Sequence, residues 1–144
     1  MTLPLQARIE ERIFHFKQPA GTSRGVYRTR KSWFITLTDN EGRQGTGECA
    51  PLPNLSCDDV PDYAEILSRH CQTLTRTGEI PFDELRPYPS MLFGLETAML
   101  HLKSGGLQFY DTPWSRGEEG IPINGLVWMG TKEEMQERLI EKIE

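Results

Sequence analysis

No apolar run in these 144 residues approaches the roughly 20 needed for a helix to cross a bilayer. The stretch from Met1 to Glu10 also lacks the apolar centre of a secretory signal. Basic residues are in deficit: 16 Lys and Arg stand against 21 Asp and Glu, for a net charge of −5. The two signs are interspersed, which leaves no basic stripe for a nucleic-acid backbone. Cysteine is scarce. Cys49, Cys57 and Cys71 are odd in number and lack the paired spacing of a zinc site, so a reduced cytoplasmic setting is the simplest account. There is no internal repeat. What these absences leave is a globular chain with enough apolar residues, 37%, for one modest core.

The first half reads as β. A strand is expected around Ile9 to Phe16, then a polar loop from Pro19 to Gly25. Trp33, Ile35 and Leu37 alternate with Phe34, Thr36 and Thr38, the period of a strand with two unlike faces. Asp39-Asn40-Glu41-Gly42 is a turn cluster, so Arg43 to Ala50 should return antiparallel. Gly45 and Gly47 within that return strand signal a bulge or a second backbone approaching closely. After Pro51-Leu52-Pro53 the period changes to helical. Ser56 and Asp59 have the spacing of a capping box, and Tyr63, Ile66, Leu67, His70 and Leu74 line one face as far as Gly78. Phe82 to Leu85 allows a single helical turn. Ser90 is the expected cap of a further helix whose face is Leu92, Leu95, Met99 and Leu102, ended by Gly105-Gly106.

The end of the chain starts something new. Ile121 to Gly130 reads as a buried strand. Thr131 and Glu134 form a capping box, and Met135, Leu139, Ile140 and Ile143 recur at helical spacing. A strand feeding a helix is half of a βαβ unit, and the parallel strand that would bury both is not in the sequence. The chain is therefore expected to be the front of a longer protein.

Few residues suggest chemistry by themselves. Gly42, Gly45 and Gly47 fall inside a hairpin, not between a strand and a helix, so they make no dinucleotide loop. His70 and Cys71 are adjacent on a helix and diverge by about 100°, so they cannot converge on one ion. Asp58, Asp59 and Asp62 are accounted for by the dipole of the helix they precede. Glu96 is expected to be a solvated or paired carboxylate. The sequence Gly21-Thr22-Ser23-Arg24-Gly25 is different. It offers hydroxyls, backbone N–H groups and a guanidinium between two glycines, suitable for a lid over a carboxylated ligand.

Three segments together resemble the enolase superfamily, and within it the o-succinylbenzoate synthases of menaquinone biosynthesis. They are Gly45-Thr46-Gly47-Glu48-Cys49-Ala50-Pro51-Leu52-Pro53, then Pro89-Ser90-Met91-Leu92-Phe93-Gly94-Leu95-Glu96-Thr97-Ala98-Met99, then Ile121 to Gly130. Residues 20–25 are similar to the mobile capping loop of the same family. The resemblance implies an α+β fold: a capping domain of a three-stranded antiparallel meander plus helices over residues 1–106, a linker over 107–120, and over 121–144 the first strand and the start of the first helix of an incomplete TIM-like barrel.

It also implies a lyase. The family reaction is a Mg²⁺-dependent dehydration in which a lysine removes a proton α to a carboxylate and an enediolate intermediate forms. The implied lysines and acidic metal ligands lie on barrel strands two to six, beyond Glu144; Lys142 falls in the helix after the first strand and does not take their role. The 144 residues themselves are thus expected to be catalytically inactive and to bind no Mg²⁺. Substrate-facing positions carried over are Gly21, Thr22, Ser23, Arg24 and Gly25, then Pro51, Leu52 and Pro53, and on the first strand Asn124 and Trp128. The expected partner of the full-length protein is a small carboxylated substrate, with neither nucleic acid nor membrane. The exposed barrel element is a surface for self-association. An N-succinylamino acid racemase or dipeptide epimerase shares the capping architecture and is the alternative within the enzyme class; a stand-alone, non-catalytic binding module is the alternative outside it.

Overall fold

A computed structural model describes residues 5–22 and 25–143. The described elements are β1 (Gln6–Thr22), β2 (Gly25–Thr38), β3 (Gln44–Cys49), α1 (Tyr63–Thr77), α2 (Phe82–Leu85), α3 (Pro89–Ser104) and α4 (Lys132–Ile143). The strands form one sheet in the order β1-β2-β3. The β2–β3 pairing is antiparallel, with Trp33 opposite Cys49 and Leu37 opposite Gly45. Asp39 closes the intervening turn. Its carboxylate accepts the backbone N–H groups of Glu41 and Arg43, each at 2.9 Å, and pairs with the Arg43 guanidinium at 2.7 Å. Burial alone would raise the Asp39 carboxyl, but these donors outweigh it and hold it below its ordinary range.

The chain divides into two compact units. The first takes the strand up to Phe14 together with Arg30–Tyr110, and holds the core. Trp33, Ile35 and Leu37 of β2 point to one side, as their alternation requires, and meet Ile66, Leu67 and Leu74 of α1 and Met91, Leu95, Ala98 and Leu102 of α3 in one buried cluster. Helix α1 ends where expected: Gly78 is left-handed (φ 75°) and its N–H bonds to the Leu74 carbonyl. Helix α3 ends the same way at Gly105 (φ 70°).

The expected close approach at Gly45 and Gly47 is the contact between β3 and α3. A Cβ on Gly47 would stand 1.8 Å from the Gly94 carbonyl oxygen, and one on Gly45 would stand 2.2 Å from that of Ala98. The reciprocal position is as tight, since a Cβ on Gly94 would lie 2.3 Å from the Cys49 sulfur. Helix backbone therefore rests on strand backbone. At the far end of this seam the Thr46 N–H donates to Nδ1 of His101 at 3.0 Å.

The second unit comprises His15–Thr29 and Asp111–Glu144. Two expectations differ here. The loop expected from Pro19 to Gly25 is mostly strand: β1 runs on to Thr22, and Pro19 is tolerated because β1 is an edge strand with one side free of ladder bonds. The strand expected at residues 121–130 is not formed, and Ile123 and Leu126 are exposed. A strand exists only through the ladder of a neighbour, and no described residue pairs with this segment. Helix α4 does form. Its capping box is reciprocal, the Thr131 N–H donating to Glu134 at 2.8 Å and the Glu134 N–H to Thr131 Oγ1 at 3.2 Å. None of its side chains is buried.

Two predictions follow from this packing. Gly47→Ala should cost about 1–3 kcal/mol in urea unfolding, because the obstructing atoms are backbone and cannot rotate away. Gly106→Ala, with nothing within 4 Å of the added carbon, should stay within about 0.5 kcal/mol. Equal costs at the two sites would refute the seam. His70 is buried on α1, and burial chiefly pulls its imidazole below the ordinary value of 6.5; Arg69 adds to the depression, and Glu84, with its carboxylate 3.8 Å from Nδ1, opposes it. The unfolded chain then binds a proton that the folded chain refuses. The stabilisation is complete above pH 6.5 and is lost as pH falls from there through the lower folded value. Between pH 7 and 5, wild type should therefore lose more stability than His70→Gln; parallel curves would contradict this.

Candidate functional site

Within the second unit, the end of the β1–β2 hairpin and the segment before α4 come together. Gly21 and Thr22 finish β1, and Gly25 opens β2 at φ 138°, a conformation that suits only glycine. Thr22 Oγ1 donates to the Gly25 carbonyl at 3.1 Å. Ser23 and Arg24 lie outside the described residues. Trp128 shares a shallow cleft of about 340 Å³ with Phe16, Lys17 and Gln18. The Met129 sulfur lies 3.4 Å from where a Cβ on Gly21 would be. Asn124 is exposed and takes no part in this cluster.

One residue in the cluster escaped the sequence reading. Arg138, on α4, donates from Nη1 to the carbonyls of Trp128 (2.8 Å) and Met129 (2.9 Å) and from Nη2 to Gln18 at 3.2 Å. Gly130 leaves room for this, because a Cβ there would lie 2.9 Å from Arg138 Nη1 and 2.4 Å from the Glu134 carboxylate. The signal available was a single arginine among the apolar positions of α4, which amphipathic periodicity assigns to solvent.

Pro51, Leu52 and Pro53 belong to the first unit, in the irregular segment between β3 and α1. Pro51 and Pro53 line a cleft of about 320 Å³ floored by Trp33 and Tyr63, whose rings stack at 4.3 Å. Lys31 stands over the Trp33 ring at 5.4 Å and pairs with Glu11 at 3.3 Å. Beside the segment, Ser32 donates to Glu48 at 2.6 Å, and Arg30 reaches the Ala50 carbonyl at 3.4 Å.

The carboxylates and serines of this segment do not have the roles their spacing suggested. Helix α1 starts at Tyr63, and its N-cap residue Asp62 makes no side-chain cap bond. Ser56 accepts the Leu52 N–H at 2.9 Å and Asp59 accepts that of Asn54 at 2.8 Å, so both fold the loop and cap no helix. Ser90 is likewise no N-cap, because α3 starts one residue earlier at Pro89. Asp58, only 1% exposed, receives both the Ser90 N–H (2.8 Å) and the Ser90 hydroxyl (2.5 Å). The acidic cluster includes one buried structural carboxylate as well as residues lying near a helix dipole.

Among the described residues no three His, Cys, Asp or Glu side chains gather to hold a metal ion. Cys49 and Cys71 are buried free thiols, pushed up to about 12 chiefly by burial, and are inert as nucleophiles at neutral pH. Burial likewise raises the Tyr63 hydroxyl. Among the described residues no helix is long and apolar enough to cross a membrane.

Comparison with known proteins gives a consistent picture. Residues 16–102 match the family described as MenC, N-terminal domain. The o-succinylbenzoate synthase of Desulfotalea psychrophila is 34% identical over 89% of this chain and 43% of its own length. That of Thermosynechococcus vestitus is 33% identical over 68% of this chain and 29% of its own. The chain thus spans less than half the length of these curated relatives. A crystal structure of an enolase family member from Agrobacterium tumefaciens, with homology to dipeptide epimerases, superposes with a TM-score of 0.66 over 96% of this chain and 43% of that one. At 15% identity this likeness establishes the fold alone.

The Arg138 clamp is open to a direct check. Arg138→Leu should move the backbone resonances of residues 16–18 and 128–130 and leave those of 33–37 and 91–102 in place. Unchanged shifts at 16–18 and 128–130 would show that the clamp does not form in solution.

Proposed function

The chain belongs to the MenC N-terminal-domain family, and on that footing we propose that it is the capping, substrate-shaping portion of an o-succinylbenzoate synthase-like lyase. The observation that carries this reading is the match of residues 16–102 to that family. Both curated relatives described above are synthases, which favours the synthase over the racemase or epimerase alternative. In this reading residues 1–106 are the capping domain, 107–120 a linker, and 121–144 the first barrel element.

The residues that would face the small carboxylated substrate are Gly21, Thr22, Ser23, Arg24 and Gly25 on the hairpin, Pro51, Leu52 and Pro53 on the segment after β3, and Asn124 and Trp128 before α4. Three features support this. Trp128 lies beside the hairpin, with Arg138 fixing its carbonyl. Pro51 and Pro53 wall an aromatic-floored cleft of substrate-scale volume. The glycine at position 25 gives the hairpin end a conformational freedom suited to a lid.

The whole enzyme's chemistry, a Mg²⁺-dependent dehydration, would then be supplied by groups outside this chain. What residues 1–144 contribute is shape: walls and a lid that choose the carboxylate and exclude water. A cytoplasmic setting accords with the three free cysteines. The exposed apolar side chains Ile121, Ile123, Leu126, Leu139 and Ile143 would seek cover, and self-association is one way to get it.

The purified chain should therefore show no dehydration of the synthase's substrate above background. Calorimetric titration with Mg²⁺ should give no stoichiometric binding. Turnover, or one tightly bound Mg²⁺ per chain, would overturn the proposal.

A further inference from the structure

Residues 50–62 carry no regular secondary structure, yet their backbone is closely tied. The Leu52 carbonyl accepts from Leu55 (3.2 Å) and Ser56 (3.0 Å), Ser56 Oγ returns a bond to the Leu52 N–H, and Asp59 holds the Asn54 N–H. Asn54 takes the left-handed region at φ 59°, which asparagine tolerates in turns. These bonds are internal to the loop. By themselves they would fold it without fixing where it stands.

Asp58 supplies the anchor. Its carboxylate is buried and reaches 32 residues along the chain to the first turn of α3, where Oδ2 accepts both the N–H and the hydroxyl of Ser90. Ser90 Oγ lies 2.6 Å from the Tyr63 hydroxyl. Tyr63 is the first residue of α1, and its ring stacks on Trp33 of β2. One carboxylate thus joins the loop to the start of α3, the start of α1 and the sheet. It also does for α3 what the N-cap residue Tyr88 does not, by accepting an orphan N–H of the first turn from outside the helix.

We propose that Asp58 is the positioning residue of the loop carrying Pro51, Leu52 and Pro53, locking it to the N-terminus of α3 so that this wall of the site is set before substrate arrives. The proposal rests on the substrate-facing reading of residues 51–53 given above. Pre-organisation of this kind removes the ordering cost that a mobile loop would pay on binding.

Amide hydrogen exchange on the 144-residue chain tests the anchor without any activity. In Asp58→Ala, the amides of Leu52, Asn54 and Ser56 should exchange at least about tenfold faster while those of Ile35 and Leu37 keep their rates. Asp58→Asn keeps an acceptor for Ser90 and should restore most of the protection. If loop and sheet accelerate equally, or the loop does not respond, the proposal fails. Should Asp58→Ala not fold, Ser90→Ala removes one of the two bonds and should give a smaller acceleration confined to the loop; none would overturn the proposal. In a catalytically complete protein carrying these residues, Asp58→Ala should raise KM by more than it lowers kcat. Faster loop exchange with KM unchanged would leave the anchor standing and remove its role in the site. Absence of lyase turnover in the unsubstituted protein would instead strike at the functional reading.

Discussion

Helix α3 lies on strand β3 with backbone against backbone at Gly45 and Gly47, and the rest of the first unit is arranged around that seam. Gly45 and Gly47 open one side of it, and Gly94 and Ala98 open the other. Close approach lets Met91, Leu95 and Leu102 reach past the strand to the same cluster as Ile35 and Leu37. It also sets the axial position of α3. At its C-terminal end His101 takes up the Thr46 N–H, and at its N-terminal end Ser90 arrives at Asp58. The seam is therefore a ruler as well as a packing contact.

In the proposed reading, function follows from what this seam positions. The segment with Pro51 and Pro53 is fixed at several points, and Gly25 at the hairpin end is exposed. A loop set in advance spares the ordering cost that a mobile one would pay on binding. Among the described residues no metal ligands are assembled and Cys49 is a buried thiol pushed up by burial; the contribution proposed for the chain is recognition. Membership of the MenC N-terminal-domain family is what supports that reading.

Much of this was legible from residue order, for physical reasons that differ by element. Glycines in a strand have few explanations, and at Gly45 and Gly47 the right one was among those named. The Thr131–Glu134 box was legible because both partners lie within one turn. The same pattern misled at Ser56 and Asp59, where equivalent spacing folds a loop; Asp58, assigned to a helix dipole, instead bonds Ser90, 32 residues distant. Short-range patterns specify that a carboxylate will find an N–H, but not whose. Residues 121–130 have the composition of a strand without a ladder, because strand formation depends on a neighbour that composition does not reveal. Arg138 was invisible for a related reason: its acceptors are backbone carbonyls, which leave no mark in the sequence.

Native-state hydrogen exchange across a denaturant series tests the seam most directly. If helix and strand are one cooperative body, the amides of Ile35 and Leu37 and those of Leu95 and Ala98 will merge into a single opening transition with the same free energy and the same denaturant slope. The amides of Met135 and Leu139, on a helix with no buried side chain, will exchange with far less protection. A separate, lower-energy opening of α3 with the sheet still protected would contradict the dependence of the first unit on this contact.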